Sequence, residues 1–363
     1  MIEEHAVAVV ARAFEIDGEL ESAARYGSGH IHDTYSVRFD ESGRSGAHII
    51  LQHINTRIFK NPVAVMENIR RVTTHVRAKL DGLPDADQRV LQLVPTHEGR
   101  VWHVDQEGQY WRAYRFIEAA RTFDEVKSER QAFEAARAFG QFQRMLADLP
   151  GERLTESIPH FHDTPKRFTD FESAVNANAA GRVKDVQEEI AFAMNRKRIA
   201  TALVGAGLPE RVTHNDTKLN NVMLDEQTGE GICVIDLDTV MPGLAGYDFG
   251  DMVRTMTCPA AEDEQDLSQV EMRFSFFEAV LRGYLAGAGD FLTASERESL
   301  ISGAKVIVFE QGIRFLADHL AGDTYYKVSR AGQNLDRCRT QFKLLESIER
   351  QEEAMRELLK SIE

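Results

Sequence analysis

The sequence predicts an α+β fold in two lobes, a small β-rich N-terminal lobe and a large, mostly helical C-terminal lobe. At 363 residues the chain is long enough for two lobes or domains and a large buried core. Between residues 34 and 117, short apolar runs bounded by turn residues surround a single helical stretch. From Glu129 onward apolar residues recur at helical spacing, with one clear interruption, a polar loop and hairpin over residues 212–236. The boundary is placed near residues 118–121, giving lobes 1–118 and 119–363.

Taken in chain order, Val7, Val10, Ala11 and Phe14 recur at helical spacing and predict a helix over residues 1–18. Strands are expected over 34–39 and 48–52, joined by a Gly- and Ser-bearing turn at 41–46. Residues 62–80 read as an amphipathic helix opened by Pro62, and further strands are expected over 100–104 and 110–117. In the second lobe Phe133, Ala136, Phe139, Phe142 and Leu146 mark one buried stripe, and residues 335–362 read as a long charged, amphipathic helix. No internal repeat, low-complexity segment or linker to a third domain is visible.

Composition excludes several classes of function. With 43 Lys and Arg against 58 Asp and Glu the net charge is −15, which opposes binding to nucleic acid or to an anionic membrane. An anionic ligand would therefore need cationic side chains concentrated locally. The N-terminus lacks a basic flank and a signal-peptide core, and no apolar run approaches the ~18 residues of a membrane span; Val306 to Phe309 soon meets Glu310. Cys233, Cys258 and Cys338 form no motif, which fits a reducing cytoplasm.

His214, Asp216 and Asn221 stand in His-x-Asp-x-x-x-x-Asn spacing. The apolar run 222–224, the polar glycine-bearing turn 225–231 and the apolar run 232–235 form a hairpin signal, and Asp236 follows directly. In a hairpin, the residue before the first strand meets the residue after the second, so Asn221 and Asp236 are expected side by side. Both offer oxygen ligands suited to a hard cation such as Mg²⁺. A carboxylate to orient a hydroxyl, beside oxygen ligands for Mg²⁺, is the equipment of phosphoryl transfer, with Asp216 as the base and Asn221 and Asp236 as metal ligands. A lone Asp in a loop is ordinarily a turn or capping residue; the ordered set at workable spacing reverses that reading.

That motif resembles the aminoglycoside phosphotransferase and choline kinase superfamily, relatives of the protein kinases. The longer strings RVTHNDTKLNN at 211–221, IDLDTVMPG at 235–243, YDFGD at 247–251 and GIRFLAD at 312–318 look like the bacterial N-acetylhexosamine 1-kinases, over a stretch from about Tyr26 to the C-terminal helix. The resemblance implies a protein-kinase-like bilobal fold, ATP with Mg²⁺, and a sugar acceptor phosphorylated at its anomeric hydroxyl. It places Lys218 where kinases reach the transferring phosphoryl group, and Gly27, Ser28, Gly29, Thr34, Gln52 and the hinge residue Ile117 around the nucleotide. On the acceptor side it puts His30, Arg314 and Tyr325.

The sequence also departs from the pattern. His32 stands where the third glycine of a kinase phosphate loop would be, and Gln52 takes the position of the strand lysine that neutralises phosphates. Gln donates hydrogen bonds but carries no charge; Arg57 or Lys60 could reach in instead. Glu67, on the helix where a kinase keeps the lysine's partner, is then a plain surface residue. Asp238 either joins the metal shell or shares a strand face with Asp236. His214 reads as a brace, Asp248 and Asp251 as a helix cap or loop brace. The strand-like His160-x-His162 falls short of a metal set and lines the acceptor site at most. Rival readings are a kinase for choline, an aminoglycoside or another sugar, and, in a different class, a catalytically dead nucleotide-binding scaffold.

Overall fold

The computed structural model describes residues 4–27, 31–40 and 46–362. It is the expected α+β arrangement, a β-sheet N-terminal region followed by a helical remainder. Helix α1 (Glu4–Ala11) stops short of the helix expected over 1–18, and the chain enters β1 (Glu19–Arg25). This strand contains no β-branched or aromatic residue, so nothing local marks it. Pairing with β2 (Asp33–Asp40), through an irregularity between Leu20 and Ser22, imposes the extended form. Val7, Val10, Ala11 and Phe14 are all buried, with the inward residues of the sheet around them.

β3 (His48–His53) continues the sheet and α2 (Pro62–Lys79) follows, its first turn capped by the Asn61 side chain accepting from the Ala64 amide. β4 (His103–Val104) and β5 (Tyr110–Arg115) complete an antiparallel sheet in the order β1-β2-β3-β5-β4. β4 is shorter than the strand expected over 100–104, because Thr96 bonds both Arg100 and Gly99 and holds that backbone in a turn. The chain leaves the sheet through Ala119, at a φ of 57°, and β6 (Ala120–Arg121) pairs with a strand of the helical remainder.

The second lobe is built on α3 (Glu129–Leu146), α4 (Thr164–Ala177), α5 (Gln187–Asn195), α6 (Ala245–Met256), α7 (Phe274–Ala288), α8 (Ala294–Ala321) and α9 (Gln333–Ser361). Of the stripe expected on α3, Ala136, Phe139, Phe142 and Leu146 are buried and Phe133 partly so; each large apolar side chain removed from water contributes about 1.5–3 kcal/mol. Thr293 and Glu296 close a capping box at the start of α8, and Gly322, in the left-handed region at φ 96°, ends it.

Four short strands frame the motif. β7 (Arg211–Thr213) leads into the loop and pairs with β10 (Met241–Gly243); between them β8 (Val222–Asp225) and β9 (Gly231–Val234) form the expected hairpin, with Val222 opposite Val234. The β7/β10 ribbon is a second interruption of the helical pattern, too short to show in the sequence. Helix α6, which carries two loop-bracing aspartates, sits backbone to backbone on α8. A Cβ on Gly250 would stand 2.3 Å from the carbonyl oxygen of Gly303. Gly250→Ala would gain up to about 1 kcal/mol in helix propensity, but the clash cannot be relieved by a side-chain rotation. We expect a net loss of about 1–3 kcal/mol, read as a lower urea midpoint at unchanged slope.

Candidate active site

The loop after β7 is held from behind by α6. Asp248 accepts from the backbone amides of His214 (2.9 Å) and Asn215 (2.7 Å), and Asp251 from that of Thr217 (2.8 Å). Asn215 has a φ of 66° and is fixed by its side-chain amide on the carbonyls of Thr213 and Thr239. Such a backbone persists only where its surroundings over-determine it, and here every side of the residue is bonded. His214 donates from Nε2 to the Ile235 carbonyl (2.9 Å), while its Nδ1 faces the Asp216 amide at 3.3 Å. With one nitrogen on the Ile235 carbonyl and the other facing the Asp216 amide, His214 braces the loop.

Asp216 points its carboxylate at Lys218 Nζ, 2.9 Å away, and accepts from the Asn221 side-chain amide at 3.1 Å; that amide also donates to the Asp216 carbonyl at 2.8 Å. Burial alone would raise the Asp216 pKa, but Lys218 outweighs it and the group stays below the ordinary carboxylate value. Burial likewise opposes the Lys218 charge, and Asp216 with Asp236 outweighs that, so the ammonium is held above its usual value. With its nitrogen spent on Asp216, Asn221 leaves its Oδ1 without a donor among the described residues.

The Ile235 amide bonds the Asn221 carbonyl at 2.9 Å, which extends the hairpin ladder to its open end and brings Asn221 and Asp236 together. Asp236 has a φ of 58° and ends the strand there. No described residue donates a hydrogen bond to its carboxylate. Burial, then repulsion from Asp238 and Asp216, pushes its pKa up to about 6. The Asp236 carboxylate, crowded by those of Asp238 and Asp216 and set next to Asn221, offers hard oxygen donors of the kind that fit Mg²⁺.

Asp238 does not share this role. It lies in the turn after Asp236, with both oxygens on the guanidinium of Arg112 at 2.6 and 2.5 Å, the pair 1% and 2% exposed. Burial opposes its charge, but Arg112 more than compensates and the carboxyl stays ionised well below the usual range. His32 stands with Asp236 and Asp238, its Nε2 3.4 Å from Asp238. Its Nδ1 accepts from the Asn55 amide, so Nε2 carries the proton and cannot ligate a cation in that state.

Gly27, Thr34, Gln52 and Ile117 line one cleft between the sheet and the loop, together with Lys218, Asn221 and Asp236. Gln52 donates to the Thr34 hydroxyl at 3.0 Å and takes Arg112 Nε on its carbonyl at 2.9 Å. Ser28, Gly29 and His30, expected around the phosphates and the acceptor, lie outside the described residues. Arg57 and Lys60 are exposed and do not line the cleft, and Glu67 pairs with Arg70 on the surface. Arg112 was not anticipated, although a charge in the apolar strand Tyr110–Arg115 was a signal: a strand interior tolerates one only when it is paired.

The Arg314 guanidinium lies 5.5 Å from the centroid of the Phe161 ring and 5.7 Å from that of Tyr326. Among the described residues its one side-chain hydrogen bond goes to Gln311 at 3.2 Å, and Glu310 is 3.7 Å away. Tyr325, 65% exposed, packs edge-on against Tyr326. The His160-x-His162 segment is a turn rather than the expected strand, with His160 at a φ of 57°. Its two rings part: His160 pairs with Asp163 at the surface, and His162 is buried.

His162 offers Nδ1 to Glu310 at 2.8 Å and Nε2 to the Asn215 carbonyl at 3.0 Å. Two acceptors on two ring nitrogens require the imidazolium. Burial lowers its pKa, but Glu310 overrides this and raises it; burial raises that of Glu310, and His162 overrides this in turn. The Glu310 contribution is complete above the ordinary 4.5 and lost as pH falls through the depressed value. The His162 contribution is complete below the ordinary 6.5 and lost as pH rises through the elevated one. Replacing His162 by Gln should therefore cost about 3 kcal/mol by urea titration, with the difference from the parent greatest between about pH 4.5 and 6.5. A flat difference across that range and beyond it would contradict the charged pair.

This fold and loop define a kinase-like small-molecule phosphotransferase. The chain belongs to the APH phosphotransferase enzyme family, whose model matches residues 22–289. Among solved structures, it is similar over 98% of its length to 99% of a microcompartment-associated aminopropanol kinase, at a TM-score of 0.63 and 16% identity. A spectinomycin phosphotransferase in complex with ADP and spectinomycin matches with a TM-score of 0.60 and 12% identity, over 96% of this chain and 99% of that one. The choline kinase of Cryptosporidium parvum matches at 0.55 and 13%, covering 97% and 98%. Among the described residues, no helix is long and apolar enough to cross a membrane.

Proposed function

We propose that this protein transfers the γ-phosphoryl group of ATP to the anomeric hydroxyl of an N-acetylhexosamine, giving the sugar 1-phosphate and ADP. In this reading residues 1–118 cover the nucleotide and residues 119–363 carry the catalytic loop and the acceptor site. ATP lies in the cleft lined by Gly27, Thr34, Gln52 and Ile117. Asn221 and Asp236 would hold Mg²⁺, which neutralises phosphate charge when bound. The ADP-bound relative supports a nucleotide in such a cleft.

Asp216 accepts a hydrogen bond from the anomeric hydroxyl and points its oxygen at phosphorus. As the new O–P bond forms and the bond from phosphorus to the β,γ-bridging oxygen breaks, the hydroxyl proton passes to Asp216 and ADP leaves. The anomeric hydroxyl is more acidic than an ordinary alcohol, and in a loose transition state a weak base suffices. Lys218 is placed to steady the negative charge of the transferring group.

The observation that carries the sugar reading is Arg314. It is a guanidinium against two aromatic rings that, among the described residues, donates one side-chain hydrogen bond, to Gln311, with Glu310 3.7 Å away. Arg254, paired with both Asp251 and Glu262, lies within electrostatic reach of Asp216 and Arg314. A guanidinium facing the acceptor disfavours a quaternary ammonium or an aminoglycoside and suits the hydroxyl and acetamide oxygens of a neutral sugar. A coupled ADP-release assay should be run over N-acetylglucosamine, N-acetylgalactosamine, glucose, galactose, choline, ethanolamine and kanamycin, with the phosphorylated position read by NMR. Turnover of the N-acetylhexosamines at the anomeric position is the expected result. Phosphorylation of choline or kanamycin without either N-acetylhexosamine would overturn it.

A further inference from the structure

The cleft lacks a strand lysine, and the helix glutamate that would hold one faces solvent. One charged group from the small sheet is nonetheless buried at its back. Arg112 lies on β5 directly opposite Gln52 of β3, and its guanidinium donors are spoken for. Nε reaches Gln52, Nη1 and Nη2 span the two oxygens of Asp238, and Met66 of α2 lies 3.9 Å from Nη1. Where a kinase-type helix would present a carboxylate, α2 presents a thioether, and the acid comes from across the cleft.

The connections on either side give the pair its consequence. Gln52 passes the contact on to the Thr34 hydroxyl of β2, so one side-chain chain runs through three strands of the sheet. At the other end Asp238 belongs to the turn Leu237–Thr239, entered through the left-handed Asp236. Helix α2 grips the same turn, with Asn68 donating to the Val240 carbonyl at 3.3 Å. With both carboxylate oxygens and three guanidinium nitrogens engaged, Arg112 has little left to offer a phosphate directly.

We propose that Arg112 is a positioning residue for nucleotide and metal, and that its ion pair with Asp238 is the latch between the small sheet and the Asp236 turn. It does for this chain what a strand lysine and helix glutamate do elsewhere, with the acid moved to the loop. Through Asp238 it sets the direction of the Asp236 carboxylate; through Gln52 it sets which face of that amide meets the nucleotide. Lysine cannot replace it, because a single ammonium cannot span two carboxylate oxygens and the Gln52 carbonyl in this geometry. The inference rests on reading the cleft as the site of a metal-bound nucleotide.

Binding of ADP should be measured by isothermal titration calorimetry with and without Mg²⁺ on the full chain, for the parent, Arg112→Lys, and the double variant Arg112→Met with Asp238→Leu. The double variant removes both charges together and replaces them with apolar groups, which keeps the core packed where a single loss would strand a buried charge. Both variants are expected to remain folded by circular dichroism and to bind ADP with Mg²⁺ at least tenfold more weakly. The gain in affinity that Mg²⁺ confers on the parent should largely disappear. A folded double variant or Arg112→Lys with parental affinity and parental Mg²⁺ dependence would leave the pair as packing alone and overturn the latch. If the parent itself fails to bind ADP with Mg²⁺, the nucleotide reading fails first, and the two failures are told apart by that one titration.

Discussion

Replacing Asp216 by Ala is expected to lower kcat by about 10²–10⁴-fold, the range a positioned acid or base contributes, while the fold and the binding of ADP with Mg²⁺ persist. Asp216 is bonded by Lys218 and Asn221 and is not among the cleft-lining residues, so its loss leaves the nucleotide surface in place. The backbone around it is fixed independently of its side chain, by Asp248 and Asp251 from α6. Asp216→Asn discriminates further. It keeps the size of the side chain and can still contact the acceptor, but takes no proton and no longer balances Lys218. If turnover survives either change within a few-fold, Asp216 is not the base. If wild-type protein binds nucleotide and phosphorylates no acceptor on the panel, the scaffold reading takes its place.

Asp236→Asn should separate stability from activity. Three carboxylates crowd this point, and Asp236 is the one to which no described residue donates a hydrogen bond, its pKa raised to about 6 by burial and by Asp238 and Asp216. A carboxyl raised in the folded state destabilises the protein at pH values above that pKa, where it is forced to ionise, and the penalty fades as pH falls through about 6. Removing the charge should then stabilise the metal-free protein at pH 7.5 by up to about 3 kcal/mol. Asn also tolerates the left-handed backbone at this position. The same change removes a charge from the proposed Mg²⁺ site. A bound cation provides several kcal/mol of transition-state stabilisation, so turnover should fall on the order of 10³-fold, with weaker Mg²⁺ activation. A melting temperature that rises without magnesium while activity collapses is the expected signature. A variant that loses stability, or that keeps parental magnesium activation, would show that Asp236 serves the fold and not the metal.

Both experiments address residues that were readable in the chain, and the reason is spacing. Asp216 and Asn221 fall in one loop, and Asp236 is tied to Asn221 by a hairpin whose two apolar runs and turn are written consecutively. Local periodicity likewise gave α2, α3 and α9 to within a few residues. It gave α1 too long and left β1 out, because a strand without β-branched or aromatic residues takes its conformation from its neighbour. The His160-x-His162 run looked like one unit and is a turn that sends one ring to solvent and the other into the core.

By itself, then, the sequence determined the two-lobed α+β fold, the family and the phosphoryl-transfer loop, since each is encoded in contiguous residues whose spacing fixes their geometry. The tertiary structure alone decided what surrounds that loop. Arg112 meets Asp238 across 126 positions, and His162 meets Glu310 across 148. Each of these side chains, read locally, is a charged or polar residue in an apolar setting with no partner in view. Burial makes such a group costly unless it is paired. The sequence could thus announce that partners must exist, but only the packing of the sheet and of α8 against the loop chooses them.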